Sequence, residues 1–139
     1  MGVHAVRGHG PRRRKRPVVG ARAAVHAMVD EWGFKSIVIN LFENALKYSE
    51  KGSKVWVELS KKGRIATLSI ADEGPGVSEE NRQKIFKKFV RLQNEETRSV
   101  QGTGLGLYIV KSLVNLHHGE IECNDNSPKG TRFNVYFNA

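Results

Sequence analysis

The sequence predicts an α+β fold, a two-layer sandwich with about three helices on one face of a mixed, mostly antiparallel sheet of about five strands. Apolar residues alternate with polar ones in two pairs of short segments, and each pair is joined by a glycine turn, as in β-hairpins. Apolar residues also recur at helical spacing in 34–49 and 105–117. Helices and a sheet that each have one apolar face bury those faces best against one another.

The chain has 139 residues, which is long enough for one domain with a core of its own. Its hydrophobic fraction of 39% and mean hydropathy of −0.45 are those of an ordinary soluble protein. The apolar runs are too short for a transmembrane helix, and the N-terminus lacks the apolar region of a secretory signal. The single cysteine, Cys123, excludes an internal disulfide, so we expect a cytoplasmic domain in which Cys123 is a buried strand residue.

The net charge of +9 is concentrated at one end of the chain. Residues 1–29 contain seven Lys or Arg and no acidic residue, whereas the remainder contains sixteen basic and fourteen acidic residues. Residues 1–20 show neither helical nor strand periodicity, and glycines and prolines interrupt them. We therefore divide the chain into a basic segment at 1–22, disordered or foreign to the domain, and a folded domain at 23–139 that begins with a short edge strand at 23–29.

The first helix, predicted over 34–49, has one apolar and one polar face. Two asparagines lie on the polar face, although asparagine is a poor helix former because its side chain competes for backbone hydrogen bonds. This face is either a solvated surface or a wall that coordinates a ligand, and the helix alone does not distinguish the two. The apolar face comprises Val38, Leu41, Phe42, Ala45 and Leu46, and the polar face comprises Asn40, Glu43, Asn44, Lys47 and Tyr48.

Two hairpins are predicted from strict alternation of apolar residues. The first joins strands at 55–59 and 66–70, and its second strand runs directly into Asp72 and the turn Gly74-Pro75-Gly76. The second hairpin spans 121–137 and turns at Pro128-Lys129-Gly130. Both hairpins are expected to bury one face.

The segment after the first glycine turn is predicted to begin a helix. Ser78 is followed by acidic residues, which suits a helix cap and first turn. Ile85, Phe86 and Phe89 give this helix an apolar side. Residues 91–101 are polar and aperiodic, which predicts a functional or mobile loop.

A second glycine-rich turn, Gly102-Thr103-Gly104-Leu105-Gly106, opens the helix predicted over 105–117. Such a turn lets backbone N–H groups approach an anion closely, but it also caps helices that bind nothing. His117 and His118 stand at the far end of the helix, where we expect them to cap it rather than to bind a metal. The predicted apolar face comprises Leu107, Ile109, Val110, Leu113, Val114 and Leu116.

Four segments in this order resemble the conserved boxes of sensor histidine kinases. Residues 40–49, Asn-Leu-Phe-Glu-Asn-Ala-Leu-Lys-Tyr-Ser, resemble the N box, and residues 72–77, Asp-Glu-Gly-Pro-Gly-Val, resemble the first glycine box. Residues 85–91 resemble the F box, and residues 102–107 resemble the second glycine box. The resemblance covers about residues 30–139 and implies the Bergerat-type ATP-binding fold, with ATP and Mg²⁺ as cofactors.

The resemblance also implies roles for individual residues. Asn44 would ligate Mg²⁺ with Asn40 nearby, Lys47 would face a phosphate, Tyr48 would lie against the base, and Asp72 would accept a hydrogen bond from the adenine amino group. Glu43 would polarise the incoming nucleophile, Arg91 would stabilise charge at the γ-phosphate, and the 87–103 loop would be a lid. The further residues implied to contact the nucleotide are Gly74, Gly76, Val77, Ile85, Phe86, Gly102, Thr103, Gly104, Leu105, Gly106, Leu107 and Thr131.

The chain departs from the family in lacking a recognisable phosphate-accepting histidine. None of its five histidines is followed by an acidic residue, and no long helical hairpin precedes Asp30. The resemblance therefore implies a catalytic domain alone, which binds ATP with little turnover and serves a histidine-bearing dimerisation domain and a downstream response regulator. A parent protein anchored in the bacterial inner membrane is compatible with this, without membrane contact by the domain itself.

Three alternatives remain open on the sequence alone. The first is a serine kinase of the anti-sigma type on the same fold. The second is a nucleotide-dependent binding module whose output is the lid conformation. The basic arm suggests a nucleic-acid binder, although we expect no nucleic-acid partner for the domain.

Overall fold

The computed structural model describes the backbone of residues 16–20, and residues 29–88 and 105–139 in full. Within these ranges the sheet has five strands in the order β1-β2-β3-β5-β4, with β1 parallel to β2 and the other pairs antiparallel. The α+β sandwich predicted from the periodicity is confirmed. The elements are β1 (Arg16–Gly20), α1 (Glu31–Tyr48), β2 (Lys54–Lys62), β3 (Ile65–Asp72), two one-turn 3-10 helices (Glu79–Asn81 and Lys84–Phe86), α2 (Gly106–Leu116), β4 (Glu120–Asp125) and β5 (Thr131–Asn138).

One apolar core lies between the helices and a single face of the sheet. The alternating strand residues of both predicted hairpins are buried there, and α1 and α2 cover them. Cys123 belongs to this core, and burial raises the pKa of its thiol to about 11, so the thiol is a structural group rather than a nucleophile. The largest fully buried side chains are Phe137, Ile37, Leu41, Leu68, Ile70, Val55, Val110, Val114 and Val135.

Helix α1 begins one turn earlier than its hydrophobic pattern predicts. Asp30 caps it, because the Asp30 Oδ2 accepts a hydrogen bond of 2.8 Å from the Gly33 N–H. The predicted division into faces is confirmed, since Leu41, Phe42 and Ala45 are buried whereas the polar face stays at least partly exposed. Among the described residues, neither helix combines the length and hydrophobicity that a membrane span requires.

Helix α2 buries a narrower stripe than the sequence predicts. Val110 and Val114 are fully buried, but Ile109 is 39% and Leu116 is 73% exposed, so the prediction that these two lie on the packed apolar face was wrong. The two exposed residues are seven positions apart and therefore share one face of the helix. Packing against both α1 and the sheet uses only the stripe around Val110, and this face lies outside it.

The helix predicted from Ser78 is replaced by two 3-10 turns. The Arg82 Nε donates to the Val77 carbonyl at 3.2 Å, and the Arg82 Nη2 lies 2.8 Å from the Asp125 Oδ1 at the end of β4. These bonds tie the segment to its neighbours instead of letting it continue as a regular helix. Ile85 and Phe86 are buried as predicted, whereas Phe89 lies outside the described residues.

The N-terminal strand differs from expectation in position. Residues 16–20, expected to be disordered, pair in parallel with β2, with Val18 opposite Trp56. Residues 16–20 form a strand because they pair with the outer edge of β2. Their own sequence has no alternation of apolar residues that would predict a strand. The short strand was predicted over residues 23–29. Val29 does not belong to a strand, and residues 23–28 lie outside the described part of the chain.

The end of α2 confirms the capping role of His117. Its Nδ1 donates to the Leu113 carbonyl at 2.7 Å, while its Nε2 accepts from the Asp30 N–H at 3.1 Å. The ring also lies edge-on to Phe137, with 6.4 Å between ring centroids. One imidazole thus joins the last turn of α2 to the first turn of α1.

His118 adopts a backbone conformation that favours glycine. Its φ is 57°, and the bonds from Gly119 N to the Val114 carbonyl (2.9 Å) and from His118 N to the Asn115 carbonyl (3.0 Å) complete a Schellman motif. We expect His118→Gly to raise the free energy of unfolding by about 1 kcal/mol, since a Cβ is costly in this conformation. Urea denaturation measures the change. His118→Ala is the control, and an equal gain in both variants would assign the effect to the lost imidazole instead.

Candidate functional site

The polar face of α1 forms one wall of the candidate site. Asn40 and Asn44, one turn apart, are both partly exposed. The Asn40 Nδ2 donates to the Ser36 carbonyl, four positions earlier in the helix, at 2.7 Å. Its Oδ1 lies 3.4 Å from the position that a Cβ on Gly106 would occupy. The N-terminus of α2 and the asparagine face of α1 therefore meet.

The rest of this face continues toward the end of the helix. Glu43 and Lys47 are exposed, and Tyr48 is partly buried in the last turn. All five predicted polar residues are thus accessible on α1, as a ligand-binding wall requires.

Asp72 is the most buried charged residue of the candidate site, with 3% of its surface exposed. Its Oδ1 accepts hydrogen bonds from the Gly74 N–H at 2.8 Å and from the Thr131 N–H at 3.3 Å. Burying a carboxylate is costly unless such donors compensate the lost hydration. The end of β3, the first glycine turn and the start of β5 therefore converge on one carboxylate.

Two glycines bring backbone segments close to this carboxylate. A Cβ on Gly74 would lie 2.6 Å from the Tyr48 carbonyl oxygen and 3.0 Å from the Asp72 Oδ1. A Cβ on Gly130, whose φ is 110°, would lie 1.8 Å from the Asp72 carbonyl oxygen. The first glycine turn thus runs against the end of α1, and the β4–β5 loop runs against the end of β3.

The second glycine box is described only from Leu105 onward. Leu105 caps α2 and its carbonyl accepts from the Ile109 N–H at 2.8 Å, while Gly106 opens the helix and Leu107 packs against the core. The N-terminus of an α-helix such as α2 favours negative charge near it. Gly102, Thr103 and Gly104, together with Arg91 and most of the predicted lid, lie outside the described residues.

The F-box residues support the site from the core side. Phe86 packs edge-on to Phe133 with 6.1 Å between centroids, and the Lys111 Nζ lies 5.9 Å from the centroid of the Phe86 ring. The Lys88 Nζ lies 4.9 Å over the Tyr108 ring. These contacts attach the start of the predicted lid to α2. Ile85 is buried and Val77 packs against the core, and their contact with a nucleotide stays a prediction.

A cavity of about 600 Å³ opens between the first glycine turn and the β4–β5 loop. Its walls come from residues 75–78 and 125–130, and none of them belongs to α1. The cavity therefore adjoins the candidate site behind Gly76 and is not the space that the asparagine face borders.

The sequence reasoning missed two contributors to the site. Gly130 was interpreted as an ordinary turn glycine, and Asn126 was not singled out. The Asn126 Nδ2 donates to the Asp72 carbonyl at 2.9 Å, across 54 positions of sequence. A contact between residues so far apart in the sequence leaves no local pattern. The only sequence feature that pointed to this region was Gly130 at the hairpin turn.

Comparison with known proteins agrees with this geometry. The family model described as "Histidine kinase-, DNA gyrase B-, and HSP90-like ATPase" matches residues 29–139. The structure of the mycobacterial sensor histidine kinase MprB superposes with a TM-score of 0.76 at 31% identity, covering 91% of this chain and 83% of that one.

Curated sequence relatives are much longer than this chain. The sensor protein RstB of Escherichia coli (strain K12) is 40% identical over 108 residues, which are 78% of this chain and 24% of RstB. The sensor histidine kinase TmoS of Ectopseudomonas mendocina is 39% identical over 110 residues, which are 78% of this chain and 11% of TmoS. The chain belongs to the family of histidine kinase-, DNA gyrase B- and HSP90-like ATPases.

Proposed function

We propose that this chain is the ATP-binding catalytic domain of a two-component sensor histidine kinase, and that it delivers the γ-phosphate of ATP to a histidine on a dimerisation domain outside the chain. The observation that carries the proposal is the buried Asp72 carboxylate, held by two backbone N–H groups beside an asparagine-bearing helix. Membership in an ATPase family makes ATP the expected nucleotide.

The site fits an adenine base. A carboxylate is an acceptor only, so the complementary ligand group is a donor such as the exocyclic amine of adenine. A keto oxygen at the same position would face the carboxylate and be repelled. Gly74, which passes against both Asp72 and Tyr48, would let the backbone approach the ring closely. Gly76 and Thr131 would complete the base-binding end, and Tyr48 would lie along the ring.

The polar face of α1 fits the phosphates and a Mg²⁺ ion. Mg²⁺ prefers oxygen ligands and usually keeps waters and phosphates in its shell, so the amide oxygen of Asn44 with Asn40 nearby is a sufficient protein contribution. In the described part of the chain no three His, Cys, Asp or Glu residues cluster as a metal cage. Bound there, the ion would neutralise charge on the phosphates, and Lys47 would add a further cation.

The second glycine box and two side chains would complete the phosphate end. Residues 102–107 would surround the phosphates with backbone N–H groups at the N-terminus of α2. Arg91 would stabilise charge at the γ-phosphate, and Glu43, exposed on α1, would help to polarise the accepting histidine. Phosphoryl transfer requires mainly such positioning and neutralisation.

The proposed partners lie outside this chain. The curated relatives are sensor kinases of which it spans a quarter or less. A dimerisation domain would supply the histidine, and a response regulator would receive the phosphate in the cytoplasm. We expect little turnover from the chain alone.

Isothermal titration with Mg-ATP or Mg-ADP, with and without EDTA, tests the nucleotide site. We expect Asn44→Ala to weaken binding by about tenfold and to remove its dependence on Mg²⁺, because one oxygen ligand is lost. Asn115→Ala, which removes an exposed asparagine from α2, is the matched control and is expected to bind normally. Mg²⁺-dependent binding that persists in Asn44→Ala would contradict this assignment.

Transfer is tested by adding a histidine-bearing dimerisation domain and labelled ATP. An acid-labile label on that domain supports the histidine kinase, whereas an acid-stable label supports the serine-kinase alternative. Binding without transfer to any acceptor would favour a nucleotide-dependent binding module.

A further inference from the structure

A side-chain amide continues the sheet where the pairing of β3 with β5 stops. The last backbone pair of these strands is Ala71 with Arg132, so Asp72 and Thr131 would form the next one. Instead the Thr131 N–H points to the carboxylate of Asp72, at 3.3 Å from Oδ1. The Asp72 carbonyl accepts from the Asn126 Nδ2 at 2.9 Å. Asn126 thus takes the place of a strand partner.

Asn126 is itself held at both ends of its amide. Its Oδ1 accepts from the Arg132 Nη2 at 3.4 Å, and the Arg132 Nη1 donates to the Ser69 Oγ at 2.7 Å. Its backbone N–H closes the β4–β5 loop onto the Gly130 carbonyl at 3.0 Å. Only 6% of the Asn126 surface is exposed. The arginine therefore orients the amide so that its NH₂ group faces Asp72.

We propose that Asn126 is a positioning residue on which the base selectivity of the site depends. It holds the Asp72 backbone so that the Thr131 N–H is directed to the Asp72 carboxylate. This inference rests on the proposed function of Asp72. Because Asn126 satisfies the Asp72 carbonyl, the adjacent backbone donor is available to the side chain. Without Asn126, the Asp72 carbonyl competes for the Thr131 N–H as in a regular ladder, and the carboxylate loses the Thr131 donor that helps to set its direction.

The test compares two nucleotides that differ at the group Asp72 is expected to read. Mg-ADP carries an amine at position 6 of the purine, whereas inosine diphosphate carries a keto oxygen there. Isothermal titration of the full chain with each gives a selectivity ratio. In Asn126→Ala we expect the affinity for Mg-ADP to fall by about tenfold while that for inosine diphosphate changes little.

Further variants separate positioning from stability. Ser127→Ala, an exposed neighbour in the same loop, is expected to keep the ratio of the unmodified chain. Asn126→Asp keeps the shape of the side chain but lacks the NH₂ donor, so it is also expected to lose selectivity. This variant provides the test if Asn126→Ala does not fold. In Asp72→Asn, adding Asn126→Ala is expected to cause no further loss of selectivity.

Each outcome decides between positioning and a merely structural role. Equal weakening for both nucleotides, or an unchanged ratio in Asn126→Ala and Asn126→Asp, overturns the inference while the nucleotide site stands. If the unmodified chain binds neither nucleotide, the proposed function itself fails and the inference fails with it. Urea denaturation of each variant in parallel reports its folded fraction.

Discussion

Asp72→Asn is expected to weaken the binding of Mg-ADP by about a hundredfold and to leave the fold intact. The asparagine Oδ1 can still accept from the N–H groups of Gly74 and Thr131, so the bonds that join the first glycine turn to β5 persist. An NH₂ group then replaces the second carboxylate oxygen, and the site loses its charge. A lost hydrogen bond to a charged group together with an opposed donor amounts to about 2.7 kcal/mol, which is a hundredfold in affinity.

Asp125→Asn is the matched control for this prediction. It makes the same chemical change at an aspartate whose side chain is 79% exposed and which pairs with Arg82 at the end of β4. We expect no more than a small change in affinity there, because Asp125 is not among the residues proposed to contact the nucleotide, and little change in stability, because an exposed ion pair contributes little. Isothermal titration measures both variants. Comparable affinity in Asp72→Asn and the unmodified chain would remove Asp72 from base recognition.

The elements that the sequence predicts well are those whose signal is local. Strand alternation around Val57 and Leu68 reports burial residue by residue, and both are buried as predicted. The helical period of α1 separates its two faces for the same reason. Asp30 as its cap was missed because the apolar pattern begins only at Phe34, although an aspartate before a helix is a recognised start signal.

The failures of prediction come from contacts made by distant parts of the chain. A helical wheel gives the direction of the apolar face of α2 but not its width, which packing against α1 decides, so Leu116 was wrongly placed on the packed face. The 3-10 turns after Ser78 are attached to the end of β4 by the bond from Arg82 to Asp125, 43 positions away, which no local pattern reports. The strand at 16–20 depends on the free edge of β2.

The candidate site, too, is predicted by the sequence in its local features and not in its long-range contacts. Motif resemblance predicts its residues, and the structure brings Asp72, Gly74 and Thr131 together and sets Asn40 beside Gly106. Their roles toward a nucleotide stay predictions. The motifs do not predict the contacts that hold Asp72 in place. Gly130 and Asn126 make these contacts only because the second hairpin packs against the end of the first.

Gly130→Ala is expected to lower the free energy of unfolding by about 2–6 kcal/mol, the largest loss of stability that we predict. A Cβ there would lie 1.8 Å from the Asp72 carbonyl oxygen and 2.7 Å from its carbon, so backbone rather than a flexible side chain must move. The φ of 110° adds a conformational cost of about 1–3 kcal/mol, and the forced displacement adds about as much again.

Gly63→Ala separates the two contributions. Gly63 also has a positive φ, 61°, but nothing lies within 4 Å of an added Cβ, so its substitution should cost only the conformational part, about 1 kcal/mol. Urea denaturation of both variants gives the difference. Equal losses would show that the β4–β5 loop yields without moving Asp72. A larger loss in Gly130→Ala, with weakened Mg-ADP binding in the fraction that stays folded, would show that the loop and the carboxylate are held as one unit.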